Sequence, residues 1–195
     1  MKKRILALLA IVVTLASCDA TKQQMSGMYN LVNCKYSYQS ISDLSISGIN
    51  ASNGLSLTSI AKVTSLLSGK QESIPFNFTL NVDVNNPNTS AALMSGMDYI
   101  ISIDDIQFTT GSVNQSLNIG AGQTQVLPIS IGLDLATLMK DNSKSAVMEI
   151  AKNFLGIGSQ QSKVSVQLRP TFNIGQSKVP SPVYIPLSFS FGGKR

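Results

Sequence analysis

The chain has 195 residues, of which 43% are apolar, 6% aromatic and 13% charged, whereas an average soluble domain is about 25% charged. This composition excludes intrinsic disorder, and the length suits one domain with a full hydrophobic core. The sequence contains no histidine. Serine-histidine-aspartate and cysteine-histidine catalysis, histidine-ligated zinc and a histidine pH switch are therefore excluded, and the composition disfavours an enzyme.

The N-terminal segment has the organisation of a secretory signal peptide. Lys2, Lys3 and Arg4 precede an apolar or small run at residues 5–16. A helix of that length spans only about 18 Å, which is too short for a hydrocarbon core of about 30 Å. We therefore expect residues 1–17 to be a signal peptide that is removed.

The residues around the expected cleavage point, Leu15-Ala16-Ser17-Cys18, resemble the bacterial lipobox. That resemblance implies a diacylglyceryl group on the Cys18 sulfur and cleavage immediately before this residue. Two or more acyl chains make a stable membrane anchor. We expect a lipid-anchored protein of the bacterial cell envelope, in the outer membrane, with residues 18–28 as a lipidated tether. The alternative is an ordinary signal peptide with an incidental cysteine.

Loss of the leader leaves 12 basic and 10 acidic residues, a net side-chain charge of +2. The remaining basic residues are scattered singly, so nucleic acid is not an expected partner. Cys34 is then the one other cysteine. Its period-two spacing with Val32, Tyr36 and Tyr38 predicts a buried, small apolar side chain, with a reactive thiol as the alternative.

Alternation of apolar and polar residues with a period of two dominates the chain after Val32. Each such run predicts a strand with one buried face. Turn residues separate the runs, among them Asn86-Pro87-Asn88 and Asp104-Asp105. Eight strands are expected, in runs that cover residues 32–38, 44–46, 76–84, 99–103, 106–108, 127–133, 164–174 and 183–191. We predict a mainly β fold, an immunoglobulin-like or fibronectin III-like antiparallel β-sandwich at residues 29–195.

Two helical insertions interrupt the alternation. Apolar residues at helical spacing predict one helix before Gly69 and a longer one at residues 135–155. Asp134 is the expected N-cap of the longer helix, Gly156 its expected end, and Asp141-Asn142-Ser143 a possible break. The first stripe consists of Leu57, Ile60, Ala61, Thr64 and Leu67. We expect both helices to pack on the sandwich, with partner binding as the alternative.

The strand that ends in Asn86-Pro87-Asn88, the following Gly96-Met97-Asp98-Tyr99 and the strand at 126–129 together resemble the group 2 late embryogenesis abundant family. This domain is also called the water stress and hypersensitive response domain, and the resemblance covers residues 74–192. It implies a sandwich and a non-enzymatic role in tolerance of desiccation or other stress. We interpret Asn86, Pro87 and Asn88 as a structural turn motif, with ligand binding by the asparagines as the alternative.

Other candidate chemistry has weak support. Asn81, Asp83 and Asn85 mimic the start of an EF-hand loop, but the required glycine and glutamate are missing, so no metal site is expected. Asp104 and Asp105 are candidates for an acid/base pair, yet neighbouring residues in a strand point to opposite faces, which does not bring the two carboxylates together. No catalytic residue, cofactor or small-molecule substrate is identified.

These observations favour a lipid-anchored, non-enzymatic envelope protein that protects against stress or desiccation through surface contacts. The alternative function is an accessory subunit or adhesin-like component of an envelope protein complex. In that case the partner would pair with an exposed strand edge or with the helix at 135–155.

Overall fold

A computed structural model describes residues 26–174 and 176–193, which form eleven strands and four helical segments. The strands are β1 (Lys35–Ile46), β2 (Ile49–Asn50), β3 (Pro75–Asn85), β4 (Ala92–Met94), β5 (Gly96–Ile103), β6 (Ile106–Val113), β7 (Leu117–Ile119), β8 (Thr124–Asp134), β9 (Ser162–Ile174), β10 (Ser177–Pro180) and β11 (Ile185–Phe191). The helices are α1 (26–32), α2 (Leu57–Ser68), α3 (Leu135–Asp141) and α4 (Lys144–Phe154). The predicted mainly β, antiparallel fold is confirmed.

The strands form two main antiparallel sheets with a common core. Sheet A has the order β2-β1-β3-β8, and sheet B has the order β10-β9-β5-β6, with β11 also paired to β9. The short strands β4 and β7 form a third sheet. The sheets approach each other at two margins, because β1 contacts β11 and β6 contacts β8.

Strand β3 shows how the alternation builds this core. Its apolar side chains at every second position are buried, and Leu80 is only 1% exposed. The intervening Asn81 and Asp83 are partly exposed on the other face. Successive strand residues point to opposite faces, so the same alternating pattern places apolar side chains in the core and polar side chains on the solvent-exposed surface.

The register gives the sandwich two different ends. At one end, which we call the α1 end, Lys35 of β1 pairs with Asn85 of β3, close to α1 and the β4–β7 sheet. At the other, the α4 end, Pro75 pairs with Asp134, and the ring of Phe154 in α4 lies 6.2 Å from that of Phe76. The polypeptide before residue 26 therefore joins the sandwich at the end opposite α4.

The first strand differs from the prediction. Val32 lies in α1 rather than in a strand, and residues 35–46 form one strand where two were expected. Two register shifts interrupt its pairing with β3, and Asp43, which lies within the second shift, has φ of 54°. Such bulges displace the period-two pattern, which made one strand look like two. Helix α1 also overlaps the predicted tether at residues 26–28.

Helix α2 presents a different face from the predicted one. Val63 and Leu67 are its buried residues, whereas Ala61 and Thr64 are exposed and Leu57 is 86% exposed. Leu57 is the first residue after the Ser56 N-cap. The predicted stripe is correct at Leu67, which is buried, and at Ile60, which is half-buried, and wrong at its other three positions. Small and polar residues such as Ala61 and Thr64 fit several helix faces equally well, and Val63 takes the buried position instead.

The longer predicted helix is two helices, broken at Asn142 and Ser143 where the sequence suggested a break. Asp134 caps α3 by accepting a hydrogen bond from the Thr137 amide at 3.0 Å. Gly156 follows α4 with φ of 71°, the left-handed conformation that glycine adopts most readily. At the C-terminal side, β11 begins at Ile185, so Val183 lies outside the strand in which it was predicted.

Candidate functional site

The side chain of Asn86, which is 0% exposed, lies at the centre of a hydrogen-bond network at the α1 end. Its amide nitrogen donates to the carbonyl oxygens of Ile119 at 2.8 Å, Ser90 at 2.9 Å and Gly120 at 3.1 Å. Pro87 follows it directly and fixes the direction of the chain by its restricted φ. The turn thus connects the end of β3 with the loop after β7.

The same turn binds helix α1 to the sandwich. The side-chain oxygen of Asn86 accepts from the backbone N–H of Asn88 at 3.0 Å and from its side-chain amide at 2.8 Å. The Asn88 amide also donates to the Asn30 carbonyl oxygen at 2.9 Å, and the Asn30 amide donates to the Ser90 hydroxyl at 2.7 Å. Both polar atoms of the Asn86 side chain have partners within the fold. This arrangement is the one that a structural turn requires, and it leaves Asn86 no atom for a ligand.

Cys34 lies directly beside this network. Its thiol donates to the Asn30 carbonyl oxygen at 3.3 Å, and burial raises its pKa to about 11. Burial also raises the pKa of Tyr36, and a negative charge on Cys34 would raise it further. The Tyr36 hydroxyl donates to the Leu31 carbonyl oxygen at 3.0 Å. A thiol held in its neutral form is a poor nucleophile, so the geometry favours the predicted packing role.

The residues that mimic an EF-hand belong to a sheet surface. Asn81 donates to the hydroxyl of Ser40 at 3.1 Å, and Asp83 accepts from the Gln39 amide at 3.1 Å. These bonds cross from β3 to β1 and do not converge on a common centre. Within the described ranges, no three histidine, cysteine, aspartate or glutamate side chains lie close enough together to hold a metal ion.

Asp104 and Asp105 form the turn of the β5–β6 hairpin, as predicted, with φ of 48° and 65°. Two left-handed residues give the type of turn that matches the twist of a hairpin. The Asp104 carboxylate accepts from the Lys163 backbone N–H at 2.8 Å. Both residues are exposed, so the pair faces solvent rather than a site.

Cys18, the predicted lipid attachment residue, lies outside the described residues, as does the whole of the predicted signal peptide. In the part of the chain that the structure covers, no helix has both the length and the apolar character needed to cross a membrane.

A cleft of about 900 Å³ lies at the α4 end, between β1 and β11. No local sequence pattern predicts it. Its apolar floor comes from both sheets and from the helices, and its polar rim comes from the loop after β2, the loop before β9 and the end of β11. The floor includes Ile41, Leu44, Ile60, Phe154, Ile157 and Phe191, and the rim includes Ser52, Asn53, Gln161 and Ser190.

Glycines allow the chain to line this cleft closely. Gly192 and Gly193 follow β11 with φ of 87° and 79°, and the Gly193 N–H donates to the Asn153 carbonyl oxygen at 2.9 Å. A side chain at Gly192 would collide with that same carbonyl oxygen. In the sequence, the two glycines directly after the last alternating run are the feature that indicates this close backbone approach at the cleft.

The described lining of the cleft is electrically neutral. None of the residues that line it within the described ranges is charged. The nearest acidic residue in sequence, Asp43, instead lines a separate depression of about 230 Å³ together with Asn77 and Gly132. The cleft therefore offers apolar contacts and neutral hydrogen-bonding groups, and its described lining contains no carboxylate, amine or thiol.

Several solved structures resemble this chain distantly. A crystal structure of a protein from Archaeoglobus fulgidus is 15% identical, with a TM-score of 0.39, over 82% of this chain and 99% of that one. The solution structure of an Arabidopsis thaliana protein is 9% identical, with a TM-score of 0.47, over 82% of each chain. No curated protein matches the sequence.

The family comparison is more specific. The model of the late embryogenesis abundant protein family matches residues 81–184. The match begins in β3, contains the Asn-Pro-Asn turn and the β5–β6 hairpin, and ends just before β11. Because it covers more than half of the chain, the protein belongs to the late embryogenesis abundant family.

Proposed function

We propose that this chain is a lipid-anchored envelope protein that protects other proteins during water loss through non-covalent surface contacts. The observation that carries the proposal is the family match over residues 81–184, since the family is a stress-related, non-enzymatic one. The lipid anchor rests on the lipobox-like residues that end in Cys18.

The chemistry of the described residues supports contact rather than turnover. Two of the candidate chemical groups, Cys34 and the Asp104-Asp105 pair, are respectively a neutral buried thiol and an exposed turn. The partly exposed face of β3 carries Asn81, Asp83 and Asn85, whose side chains form hydrogen bonds and include no hydroxyl or thiol nucleophile.

Drying tests the proposal. A labile enzyme is dried and rehydrated with the purified full-length chain, with lysozyme of equal mass, or with neither. We expect less aggregation with the chain than with lysozyme, and we expect cells lacking its gene to be more sensitive to water loss. Protection no greater than that of lysozyme would contradict the protective function.

An exposed apolar patch favours the alternative of an accessory or adhesin-like role in an envelope complex. Val179, Val183 and Tyr184 are 37%, 47% and 44% exposed around the β10–β11 connection, and Arg169 lies over the Tyr184 ring at 5.5 Å. Such patches occur at protein interfaces. Val183→Asp would then abolish a stoichiometric complex in solubilised envelope, while an acidic substitution at exposed Gln107 would not. Protection on drying would be unaffected by either change.

A further inference from the structure

The cleft at the α4 end combines two kinds of surface. Its floor is aliphatic and aromatic, and the Phe191 ring is supported from behind by the Phe154 ring at 5.0 Å. Its rim carries the side chains of Asn53, Gln161 and Ser190, which are exposed and make no hydrogen bond to any other described residue. Amide and hydroxyl groups both donate and accept hydrogen bonds. The volume of about 900 Å³ is within the range of small-molecule sites, about 300–1,000 Å³.

The neutral lining restricts the charge of a ligand. An ion that loses water in a cleft without a countercharge bears a large desolvation penalty. Among the described residues, no lysine, arginine, aspartate or glutamate lines this cleft. Phosphates, carboxylates and amines therefore fit this lining poorly, and an uncharged ligand fits it best.

A peptide strand is also disfavoured, although the cleft lies between two sheet margins. An added strand needs a regular edge of backbone groups. The β1 margin has register shifts on both sides of Ile41, and residue 43 has a positive φ. On the opposite margin, Pro186 in β11 has no N–H to donate. Irregular edges of this kind prevent strand addition.

A hydrocarbon chain without polar groups would form no hydrogen bonds with the rim. It would cover the amides of Asn53 and Gln161 without offering hydrogen bonds, which is unfavourable for polar groups that leave water. A sugar ring, by contrast, has an apolar C–H face for an aromatic and aliphatic floor, and hydroxyl groups around its edge for amides and serines. We propose that the cleft binds a neutral oligosaccharide. This assignment goes beyond the protective function and does not depend on it.

The position of the cleft suits a ligand taken from solution. The chain before residue 26 joins the sandwich at the α1 end, and the cleft opens at the α4 end, beyond the far end of β1. A domain tethered through its N-terminus thus presents the cleft away from the point of attachment.

Titration calorimetry and saturation-transfer NMR on the full-length protein, in a sugar-free detergent, test the assignment. The neutral probes are maltohexaose, cellohexaose and hexa-N-acetylchitohexaose, the charged probe is hexagalacturonate, and monoolein tests the lipid alternative. We expect at least one neutral sugar to bind and hexagalacturonate not to bind.

Variants locate the binding. Asn53→Ala and Gln161→Ala should each weaken binding by about 2- to 10-fold, the usual effect of one neutral hydrogen bond. Gln107→Ala removes an exposed amide on β6 that does not line the cleft, so it should leave binding unchanged, and circular dichroism checks that all three variants fold. Binding of monoolein alone, no binding of any neutral sugar up to its solubility, or equal effects of the three substitutions would each overturn the assignment.

Discussion

The rings of Tyr38 and Phe189 stack with centroids 4.0 Å apart and planes 14° from parallel. Tyr38 is in β1 of sheet A and Phe189 is in β11 of sheet B, so this pair joins the first long strand of the sandwich to the last. It closes the β1–β11 margin next to the cleft, which Tyr38 also lines. Residues 151 positions apart in the sequence thus determine where the two sheets separate to form the cleft.

A double-mutant cycle measures this contact. We expect Tyr38→Leu and Phe189→Leu to lower the free energy of unfolding by less together than the sum of the separate effects, because the stack can be lost only once. Stacked aromatic pairs contribute about 0.5–1.5 kcal/mol beyond their burial. Urea unfolding of the four proteins gives the coupling, and additive effects would show that the stack contributes no stability.

Leu80 and Asn81 test the core of sheet A. Leu80→Ala removes a fully buried side chain and should lower the free energy of unfolding by about 2–5 kcal/mol. Asn81→Ala loses hydrogen bonds to Ser40 and Ser42 on a partly exposed face, so it should lower that free energy by about 1 kcal/mol or less. Chemical denaturation compares the two variants. Equal losses would contradict the assigned inward and outward faces of β3.

Local patterns in the sequence were sufficient for much of this fold. The buried positions of β3, the Asp104-Asp105 turn, the Asp134 cap and the Gly156 helix end each depend on neighbouring residues. Such features follow from side-chain alternation, capping and backbone preference, which act within a few residues. They could therefore be predicted without knowledge of which segments of the chain pack against each other.

The cleft and the course of β1 could not be predicted in this way. The cleft joins Ile41, Asn53, Gln161 and Phe191, which are brought together only by sheet pairing, and no local pattern encodes their proximity. The bulges around Asp43 depend on how β1 fits against β3. The Asn-Pro-Asn turn is intermediate: its residues were recognised, but their bonds to Asn30 and Ile119 arise from tertiary contacts.

Asn86 should be far more important to stability than its neighbour Asn85. Asn86→Ala removes the side-chain donor to the buried Ile119 carbonyl oxygen, at about 1–3 kcal/mol for a buried group that remains unsatisfied, whereas the Gly120 carbonyl oxygen keeps its bond from the Gln123 N–H. Asn85 makes one exposed bond, to the Thr124 hydroxyl at 2.9 Å, so Asn85→Ala should cost under about 1 kcal/mol. Thermal and urea unfolding give both values. A small loss at Asn86 would remove the structural role of the turn.

The raised pKa of Cys34 predicts that the free energy of unfolding depends on pH in the alkaline range. Its pKa rises from the ordinary 9.0 to about 11 in the fold, so the unfolded chain loses the thiol proton first. The stabilisation is fully present below about pH 9 and is lost as the pH rises toward 11. Tyr36, whose pKa is also raised, adds a loss of the same sign at higher pH.

Urea unfolding at pH 8 and pH 10.5 tests the contribution of the thiol. Wild-type protein should lose more stability between these pH values than Cys34→Ala, in which only Tyr36 and the other groups titrate. Iodoacetamide at pH 8 should modify Cys34 slowly in the native protein and rapidly in urea. Rapid alkylation of the native chain would show that the thiol is accessible and ionised, against the burial seen here.

Cys18 should be the point of lipid attachment, and its replacement separates the two interpretations of the leader. Lipid transfer forms a thioether on the cysteine sulfur, so Cys18→Ala has no atom to accept the lipid and should accumulate as an uncleaved precursor. Cys34→Ala is the matched control, because it removes the other cysteine and should be processed and membrane-bound like wild type. Intact mass should show a mature chain that begins at residue 18 and carries acyl chains. If an ordinary signal peptide is present instead, Cys18→Ala will be cleaved normally, and the wild-type chain will have an unmodified mass and leave the membrane fraction.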